Sequence, residues 1–271
     1  MIAGISKGGD PMGESFGVRP SAIRQRVLAG DAVSGAMIFE FFGPGTPQIL
    51  KAAGCEFALF DMEHAGLGFE TLKMLAAGCR GIGVEPLARV PRSEYHFMAR
   101  ALDVGVHGVM VPMVESAEEA RRIAEATHYP PQGRRGAAFG VAQDDYCGGD
   151  VKAKLTALDA RTLVIAQIES ERGLAEVEAI AATPGIDVLW LGHFDLTNFL
   201  GIPGEFESPV YLEAVRAIVA AARRHRKGLG FMAADDVWAK RYRDFGFNMI
   251  AAGLDSSLLQ SAIRATLKGV R

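Results

Sequence analysis

Several apolar runs of this chain stop on side chains that can bind a metal ion or move a proton. The run "LVIAQIE" ends with Gln167 and Glu169, and the run "VLWLGHF" leads to His193 and Asp195. Residues two apart along a strand point to the same face, so each pair is expected to act on one side of its strand. Two carboxylates brought to one point repel each other, and a divalent cation between them removes the repulsion. The pattern therefore predicts a site for Mg²⁺ or Mn²⁺ held by Glu169 and Asp195.

Two further apolar runs end on residues of the same kind. "FALFDME" carries Asp61 and Glu63 and is followed by His64, and "EPLARV" carries Arg89. Taken singly, each residue has an ordinary structural explanation. An acidic residue after a strand often caps a helix, a histidine is often a satisfied polar residue, and an arginine often forms an ion pair. Their coincidence at strand ends favours a catalytic interpretation.

The spacing of the apolar runs indicates the fold. The runs are short and almost continuously apolar, as parallel strands are when both faces are covered by helices. Helical periodicity lies between them, for example in 208–226, where a proline follows a serine at the expected helix start. The runs are 36–42, 57–63, 85–90, 108–113, 163–169, 188–194, 228–234 and 249–255.

Strand and helix alternating about eight times predict an α/β fold, a single-domain (β/α)8 TIM barrel, with its chemistry at the carboxyl ends of the strands. We assign the barrel to 33–271 and an N-terminal arm and leading segment to 1–32. The longest irregular stretch is 128–161, headed by "YPPQGRRGAAFG". We expect it to form a loop over the mouth of the active site rather than a second domain.

Composition and charge exclude several classes of function. With 29 Lys and Arg against 32 Asp and Glu, the net charge of −3 predicts no nucleic-acid partner. The apolar runs are shorter than the roughly 18–20 residues that cross a membrane, which predicts no membrane partner. The N-terminal arm has no continuous apolar core, so we do not expect a secretory signal. The three cysteines form no C-x-x-C pair, which favours reduced thiols in a cytoplasmic protein.

Two other kinds of catalytic machinery find no support in the sequence. There is no G-x-x-x-x-G-K-[ST] loop for nucleotide phosphates and no H-E-x-x-H metal motif. A Schiff-base aldolase needs a lysine at a strand end inside the barrel, and no lysine ends a predicted strand. Carbanion chemistry on this chain would therefore use a metal ion as its electron sink.

Six segments together resemble the HpcH/HpaI aldolases, a family of class II, metal-dependent pyruvate aldolases. They are "LFDMEHAGLG", "ARVPRSE", "RALDVGVHGVMVPMV", "YPPQGRRG", "AQIES" and "LGHFDLTNFLG", in the family's order. The resemblance implies that Glu169 and Asp195 bind Mg²⁺, Mn²⁺ or Co²⁺, and that pyruvate chelates the ion through its carboxylate and ketone oxygens. It also implies a homo-oligomer, typically a hexamer built from dimers that exchange the C-terminal helix.

The resemblance assigns roles to further residues as well. It implies that Arg89 steadies the enolate and that His64 is the base, with Asp103 raising its basicity. Asp61 would orient His64 or a water molecule. The substrate contacts that it implies, besides Arg89, are Gln167 and the backbone of Phe194 and Asp195.

This chain departs from the family at one turn. Members commonly have G-P-A-D-L where this chain has G-H-F-D-L, at 192–196. We expect Phe194 to narrow the pocket and His193 to offer a further polar contact. The loop "GAAFGVAQDDY" differs as well, so the resemblance does not determine the aldehyde.

These observations predict reversible aldol cleavage of a 4-hydroxy-2-oxo acid to pyruvate, or a close 2-oxo acid, and an aldehyde. Two alternatives use the same metal site: oxaloacetate decarboxylation, and citrate-lyase-like cleavage of an acyl-CoA thioester. The thioester reaction needs a nucleotide-binding surface, for which the candidates are Arg134 and Arg135. A barrel that only senses a metal–keto acid complex is a third alternative, against which the set of base, arginine and two ligands argues.

Overall fold

Eight parallel strands, each hydrogen-bonded to the next along the chain, close into a barrel when the last pairs with the first. The computed structural model describes residues 17–270. The strands are β1 (Val33–Ile38), β2 (Phe57–Asp61), β3 (Glu85–Arg89), β4 (Gly108–Val111), β5 (Leu163–Ile168), β6 (Val188–Leu191), β7 (Gly228–Ala233) and β8 (Met249–Ala252). The predicted single-domain (β/α)8 TIM barrel is confirmed.

Helices alternate with the strands and begin at the signals that the sequence carries. The predicted helix over 208–226 is observed as Pro209–His225, with its proline in the first turn. Ser116 caps another helix by accepting a hydrogen bond from the Glu119 amide at 3.1 Å. The helices are α1 (Ala22–Ala29), α2 (Thr46–Ala52), α3 (Phe69–Gly78), α4 (Tyr95–Asp103), α5 (Ala117–Thr127), α6 (Val151–Arg161), α7 (Glu171–Ala175), α8 (Val177–Ala182), α9 (His193–Phe199), α10 (Pro209–His225), α11 (Asp236–Phe245) and α12 (Asp255–Leu267).

The alternation of side chains along each strand divides the core into two layers. In β2, Phe57 and Leu59 pack inside the barrel, whereas Ala58 and Phe60 pack between the barrel and its helices. The inward row continues to the carboxyl end of each strand, because successive residues point to opposite faces. Asp61 therefore follows Phe57 and Leu59 on the inward row.

Helix α1 closes the amino-terminal end of the barrel. Val27 is buried there, where a Cβ on Gly228 would lie 2.2 Å from its Cγ1. Arg24 donates from Nη2 to Asp187, just before β6, at 2.8 Å. Part of the leading segment thus belongs to the packed barrel, and residues 1–16 of the N-terminal arm lie outside the described residues.

The excursion 128–161 lies at the same end as α1, so the predicted loop over the active-site mouth is wrong. Asp145 accepts hydrogen bonds from Arg19, just before α1, at 2.6 Å and from Arg161, just before β5, at 2.9 Å. The reason is topological. Helix α5 returns the chain from the carboxyl ends of the strands to their amino ends, so the connection to β5 starts on the side opposite the mouth.

Two smaller expectations concern the whole chain. Cys55, Cys79 and Cys147 are free thiols, as the missing C-x-x-C pair suggested. Within residues 17–270, every helix is too short or too polar to cross a bilayer.

Candidate active site

The inward rows of the strands meet at their carboxyl ends in a cavity of about 240 Å³. Arg89 comes from β3 and Gln167 from β5, and His64 and Asp195 follow β2 and β6. Ligand sites of TIM barrels lie at this face. The cavity is smaller than the roughly 300–1,000 Å³ of sites for drug-sized ligands, which suits a small metabolite.

An ion-pair network between β2 and β3 fixes the arginine. Asp61 and Arg89 are directly paired in the register of the two strands. The Nε of Arg89 lies 2.5 Å from Asp61 Oδ1 and 3.2 Å from Glu63 Oε2. Burial raises the pKa of Glu63, Arg89 opposes that rise, and the charges of Asp61 and Asp195 add to it. The Nη2 of Arg89 is buried and has no hydrogen-bond partner among the described residues, so this donor is available to a ligand.

His64 lies at the mouth of the cavity. Its backbone amide donates to Asp61 Oδ2 at 2.8 Å, so Asp61 holds both Arg89 and the turn that carries the imidazole. The His64 side chain is 59% exposed, and its Nε2 lies 3.7 Å from Glu63 Oε2. The imidazole can therefore exchange a proton with solvent while it faces the cavity.

Glu169 is a buried carboxylate in an acidic environment. Burial raises its pKa to about 7; a hydrogen bond from the Met113 amide opposes the rise, and the charges of Glu63 and Asp195 increase it. The Met113 amide reaches Glu169 Oε1 at 2.7 Å. Met113 has a φ of 52°, a left-handed conformation that costs a side-chain-bearing residue free energy. The backbone is strained where it positions the carboxylate.

Gln167 and Gly192 complete the surroundings of Glu169. The Nε2 of Gln167 donates to Glu169 Oε2, while its Oε1 is buried without a partner among residues 17–270. Gly192 ends the inward row of β6, and a Cβ there would lie 2.3 Å from Glu169 Oε2. Its φ of −88° is open to any residue, so it is the space taken by Glu169 and Gln167 that requires glycine.

The expectation that His193 and Asp195 share a face is wrong. β6 ends at Leu191, and both residues lie in α9, where two positions are about 200° apart around the axis. Because Trp190 points inward, His193 points outward among aromatic rings, 4.9 Å from Phe231 between centroids. Burial lowers the pKa of His193 to about 4, so its imidazole is neutral at physiological pH.

Asp103 does not reach His64 within this chain. It is the last residue of α4, which runs from the carboxyl side of the barrel to the amino side, and His64 lies at the opposite end. The Asp103 carboxylate accepts instead from Arg135 Nη2 at 2.7 Å. The sequence places both aspartate and histidine in family motifs, but it gives no distance between them.

Sequence reasoning missed Phe39, Met113 and Gly192. Phe39 continues the inward row of β1, and its ring centroid lies 5.3 Å from Arg89 Cζ. Phe39 lies inside the predicted run 36–42, but an almost continuously apolar run does not show which of its faces points inward. A glycine between a strand and a helix was visible as a signal at 192, whereas no local pattern marks the conformation of Met113.

The residues present suit a hard divalent cation. Carboxylate and amide oxygens are the ligands that Mg²⁺ and Mn²⁺ prefer, and a cation would compensate the burial and the nearby negative charges that raise the pKa of Glu169. Within residues 17–270 no three His, Cys, Asp or Glu side chains form a metal-binding group. A cation held by Glu169 and Asp195 would thus keep positions open for substrate.

Replacing Gly192 by alanine should displace Glu169, because a Cβ there would lie 2.3 Å from Glu169 Oε2 and 2.5 Å from Glu169 Cβ. We expect Gly192→Ala to weaken Mn²⁺ binding at least about tenfold, as loss of ligand orientation does in metal sites. Gly43→Ala is the matched control, because a Cβ there has open space. Isothermal titration with Mn²⁺ measures both, and equal affinities would contradict the role given to Gly192.

The raised pKa of Glu169 predicts how the metal-free protein responds to pH. The pKa of Glu169 is about 7 in the folded protein and 4.5 in its ordinary state. The protonated carboxyl therefore contributes fully to the stability of the fold below pH 4.5, and this contribution is lost as the pH rises through 7. Glu169→Gln keeps a neutral side chain at every pH. The free energy of unfolding of this variant, relative to that of the wild type, should therefore increase between pH 5 and pH 8. The gain should be on the order of 3 kcal/mol.

Urea unfolding in EDTA at the two pH values measures this gain. Glu171→Gln, at an exposed glutamate two positions along the chain, is the control and should show no such gain. A difference between Glu169→Gln and wild type that stays constant with pH would contradict the shifted pKa.

Comparisons with known proteins identify the family of this chain. Residues 43–262 match the family described as HpcH/HpaI aldolase/citrate lyase. The chain is similar to a hydroxypyruvate/pyruvate aldolase of Paraburkholderia phytofirmans, with 38% identity over 83% of this chain and 88% of that protein. It is also similar to a 5-keto-4-deoxy-D-glucarate aldolase of Klebsiella pneumoniae, with 34% identity over 81% of this chain and 85% of that one.

A solved structure supports the same assignment. The HpcH/HpaI aldolase from Desulfitobacterium hafniense superimposes with a TM-score of 0.87 and 29% identity, covering 92% of this chain and 96% of that chain. A matching family model that spans most of the barrel, relatives above 30% identity and a shared architecture agree with the motifs read from the sequence. The chain belongs to the HpcH/HpaI aldolase/citrate lyase family.

Proposed function

We propose that this chain is a divalent-metal-dependent aldolase that reversibly cleaves a 4-hydroxy-2-oxo acid to pyruvate, or a close 2-oxo acid, and an aldehyde. One observation carries the proposal. Two buried polar atoms, Arg89 Nη2 and Gln167 Oε1, lack partners among the described residues, and both side chains line the cavity beside Asp195. Buried polar groups are normally satisfied, so such atoms mark the place of a polar ligand. The names of the relatives support the reaction class.

Glu169 and Asp195 are the residues that would hold Mg²⁺, Mn²⁺ or Co²⁺, and the ion would polarise the ketone of the substrate as a Lewis acid. Gln167 orients Glu169 by donating to its Oε2. The guanidinium of Arg89 is held by Asp61, so its free Nη2 can donate to the oxygen on which charge develops.

His64 is the proposed base. In the cleavage direction its imidazole accepts the proton of the C4 hydroxyl, the C3–C4 bond breaks, and its electrons form the enolate of the 2-oxo acid. The aldehyde leaves, and the enolate takes a proton at C3. Imidazole groups exchange protons near neutral pH, and the exposure of His64 lets solvent restore its protonation state.

Two activities test the proposal together. With Mg²⁺ the protein should exchange the methyl protons of pyruvate with D₂O and should release pyruvate from a 4-hydroxy-2-oxo acid. EDTA should abolish both activities because it removes the cation. Asp195→Asn should abolish both because the cation loses a carboxylate ligand. His64→Ala should slow the cleavage about 10²- to 10⁴-fold, yet still bind pyruvate in a titration.

The controls decide which part fails. Undiminished exchange of the pyruvate methyl protons in EDTA would contradict metal dependence. An unchanged cleavage rate in His64→Ala would contradict the role of His64 as the base. Oxaloacetate, scored by release of pyruvate, and 3-hydroxyacyl-CoA esters, scored by release of acetyl-CoA, address the alternative reactions. The thioester alternative is the less supported one, because Arg135 is buried against Asp103 and Gln143 on the far side of the barrel.

We propose further that the chain forms a homo-oligomer in which α12 packs on another copy. Within α12 as described, only Asp255 is buried, although the helix carries large apolar side chains. An apolar cavity of about 330 Å³ lies where a helix would cover β1 and β8. The exposed apolar residues are Leu258, Leu259, Ile263 and Leu267. Contiguous exposed apolar surface of this kind marks an interface, and the resemblance suggests a hexamer.

Ile263→Glu should weaken the interface, because it places a charge on the exposed apolar face of α12. The molar mass of the protein in solution should therefore fall toward that of a single chain. Light scattering coupled to size-exclusion chromatography measures the change at a fixed concentration. Val210→Glu, on the exposed start of α10, is the matched control and should leave the mass as in wild type. A monomeric wild-type protein would contradict the proposed interface.

A further inference from the structure

The cavity has a polar half and an apolar half that come from different sectors of the barrel. One sector carries polar residues from β2, β3 and β5, which are His64, Arg89 and Gln167, and two further polar residues, His193 and Asp195, follow β6. The opposite sector, from β6 through β7 and β8 to β1, contributes large apolar side chains. These are Phe194, Met232, Leu254 and Phe39.

Contacts with neighbouring residues hold both aromatic residues of the apolar half, Phe39 and Phe194, in position. The carboxylate of Asp255 accepts from the backbone amides of Phe39 at 3.3 Å and of Phe41 at 2.9 Å, which holds the segment after β1 in place. The ring of Phe194 lies 4.4 Å from that of His193 and 5.5 Å from that of Phe206. Phe194 is nevertheless 58% exposed, so the surrounding aromatic rings present it toward the mouth instead of burying it.

The charges around the cavity do not favour an anionic aldehyde. Among the described residues that line it, Arg89 is the one Lys or Arg, and its Nε already faces Asp61 and Glu63. Asp195 also lines the cavity, where under the proposed function its charge is paired with the divalent cation that binds the 2-oxo acid. A carboxylate on an aldehyde that packs against the apolar half would have no Lys or Arg beside it, and burying an unpaired charge is costly.

Resting on the proposed function, we propose that the aldehyde partner is uncharged and has an aliphatic or aromatic body that packs on Phe39, Phe194, Met232 and Leu254. The C3 carbon of the 2-oxo acid enolate forms its new bond to the carbonyl carbon of this aldehyde. The protonated His64 gives its proton to the resulting alkoxide. The polar half thus binds the 2-oxo acid, and the apolar half selects the acceptor.

A matched pair of aldehydes tests the selection. Pentanal and succinic semialdehyde have similar chain lengths and differ in the carboxylate. With Mg²⁺ and saturating pyruvate, the kcat/KM for pentanal should exceed that for succinic semialdehyde at least about tenfold, since the semialdehyde leaves a buried charge unpaired. An equal or reversed ratio would overturn the inference.

Variants at Phe194 locate the selecting surface. Phe194→Ala should lower kcat/KM for pentanal about tenfold, the effect of losing apolar contact in a pocket, and Phe194→Arg should move the preference toward succinic semialdehyde. Phe199→Ala is the matched control, because Phe199 lies on the same helix, is 52% exposed and is not among the residues that line the cavity. If Phe194→Ala and Phe199→Ala both keep the wild-type ratio, the apolar half is not the acceptor site.

Methyl-proton exchange of pyruvate separates failure of this inference from failure of the proposed function. Exchange requires enolate formation and no aldehyde. Exchange that persists while the charged aldehyde is preferred overturns only the acceptor assignment. Absent exchange in the Mg²⁺-loaded protein overturns the proposed function and, with it, the acceptor assignment.

Discussion

The buried negative charge of Glu169 is the constraint on which the rest of the site depends. Its carboxylate lies in a low-dielectric interior near two further acids, and one arginine offsets only part of their charge. An ionised carboxylate in such a place is unfavourable unless it is paired or binds a cation. The Met113 amide and the Gln167 amide both donate to it, and Gly192 gives it space. The two hydrogen bonds and the space at Gly192 hold the Glu169 carboxylate in a buried position that is unfavourable for a charged group.

Arg89 connects this acidic centre to the proton-transferring group at the mouth. Its partner Asp61 also accepts from the His64 amide, so the orientation of the guanidinium and the position of the imidazole depend on one buried carboxylate. A rigid network of this kind supplies preorganised charge, which is worth more in a dry cavity than in water. The same network leaves Arg89 unable to serve a second anion in the apolar half.

Closure of the barrel separates the two halves of the cavity. Strands β2, β3 and β5 bring His64, Arg89 and Gln167 to the mouth, and the remaining sector brings aromatic and aliphatic side chains beside Asp195. The outward-pointing His193 supports this division indirectly. Neutral at physiological pH and packed among aromatic rings, it contacts the ring of Phe194. The departure from the family's usual turn therefore acts on the apolar half of the site.

The sequence by itself determined the barrel and most of the polar residues of the site. Strand periodicity of two residues, helix starts and the positions of Arg89, Gln167 and Glu169 are local properties, so they could be read without coordinates. Predicted strands reached up to four residues too far at their carboxyl ends, because an apolar run does not show where the pairing stops.

Only the tertiary structure decided three features of the chain. They are the direction in which the His193 side chain points, the contacts of Asp103 and the end of the barrel at which 128–161 lies. The facing of His193 depends on where β6 gives way to α9, since a change from strand to helix rotates every later side chain. The contact between Asp103 and Arg135 and the location of the excursion depend on which end of the barrel a helix reaches. Local sequence encodes the conformation of a segment, whereas the packing of distant segments decides which side chains meet.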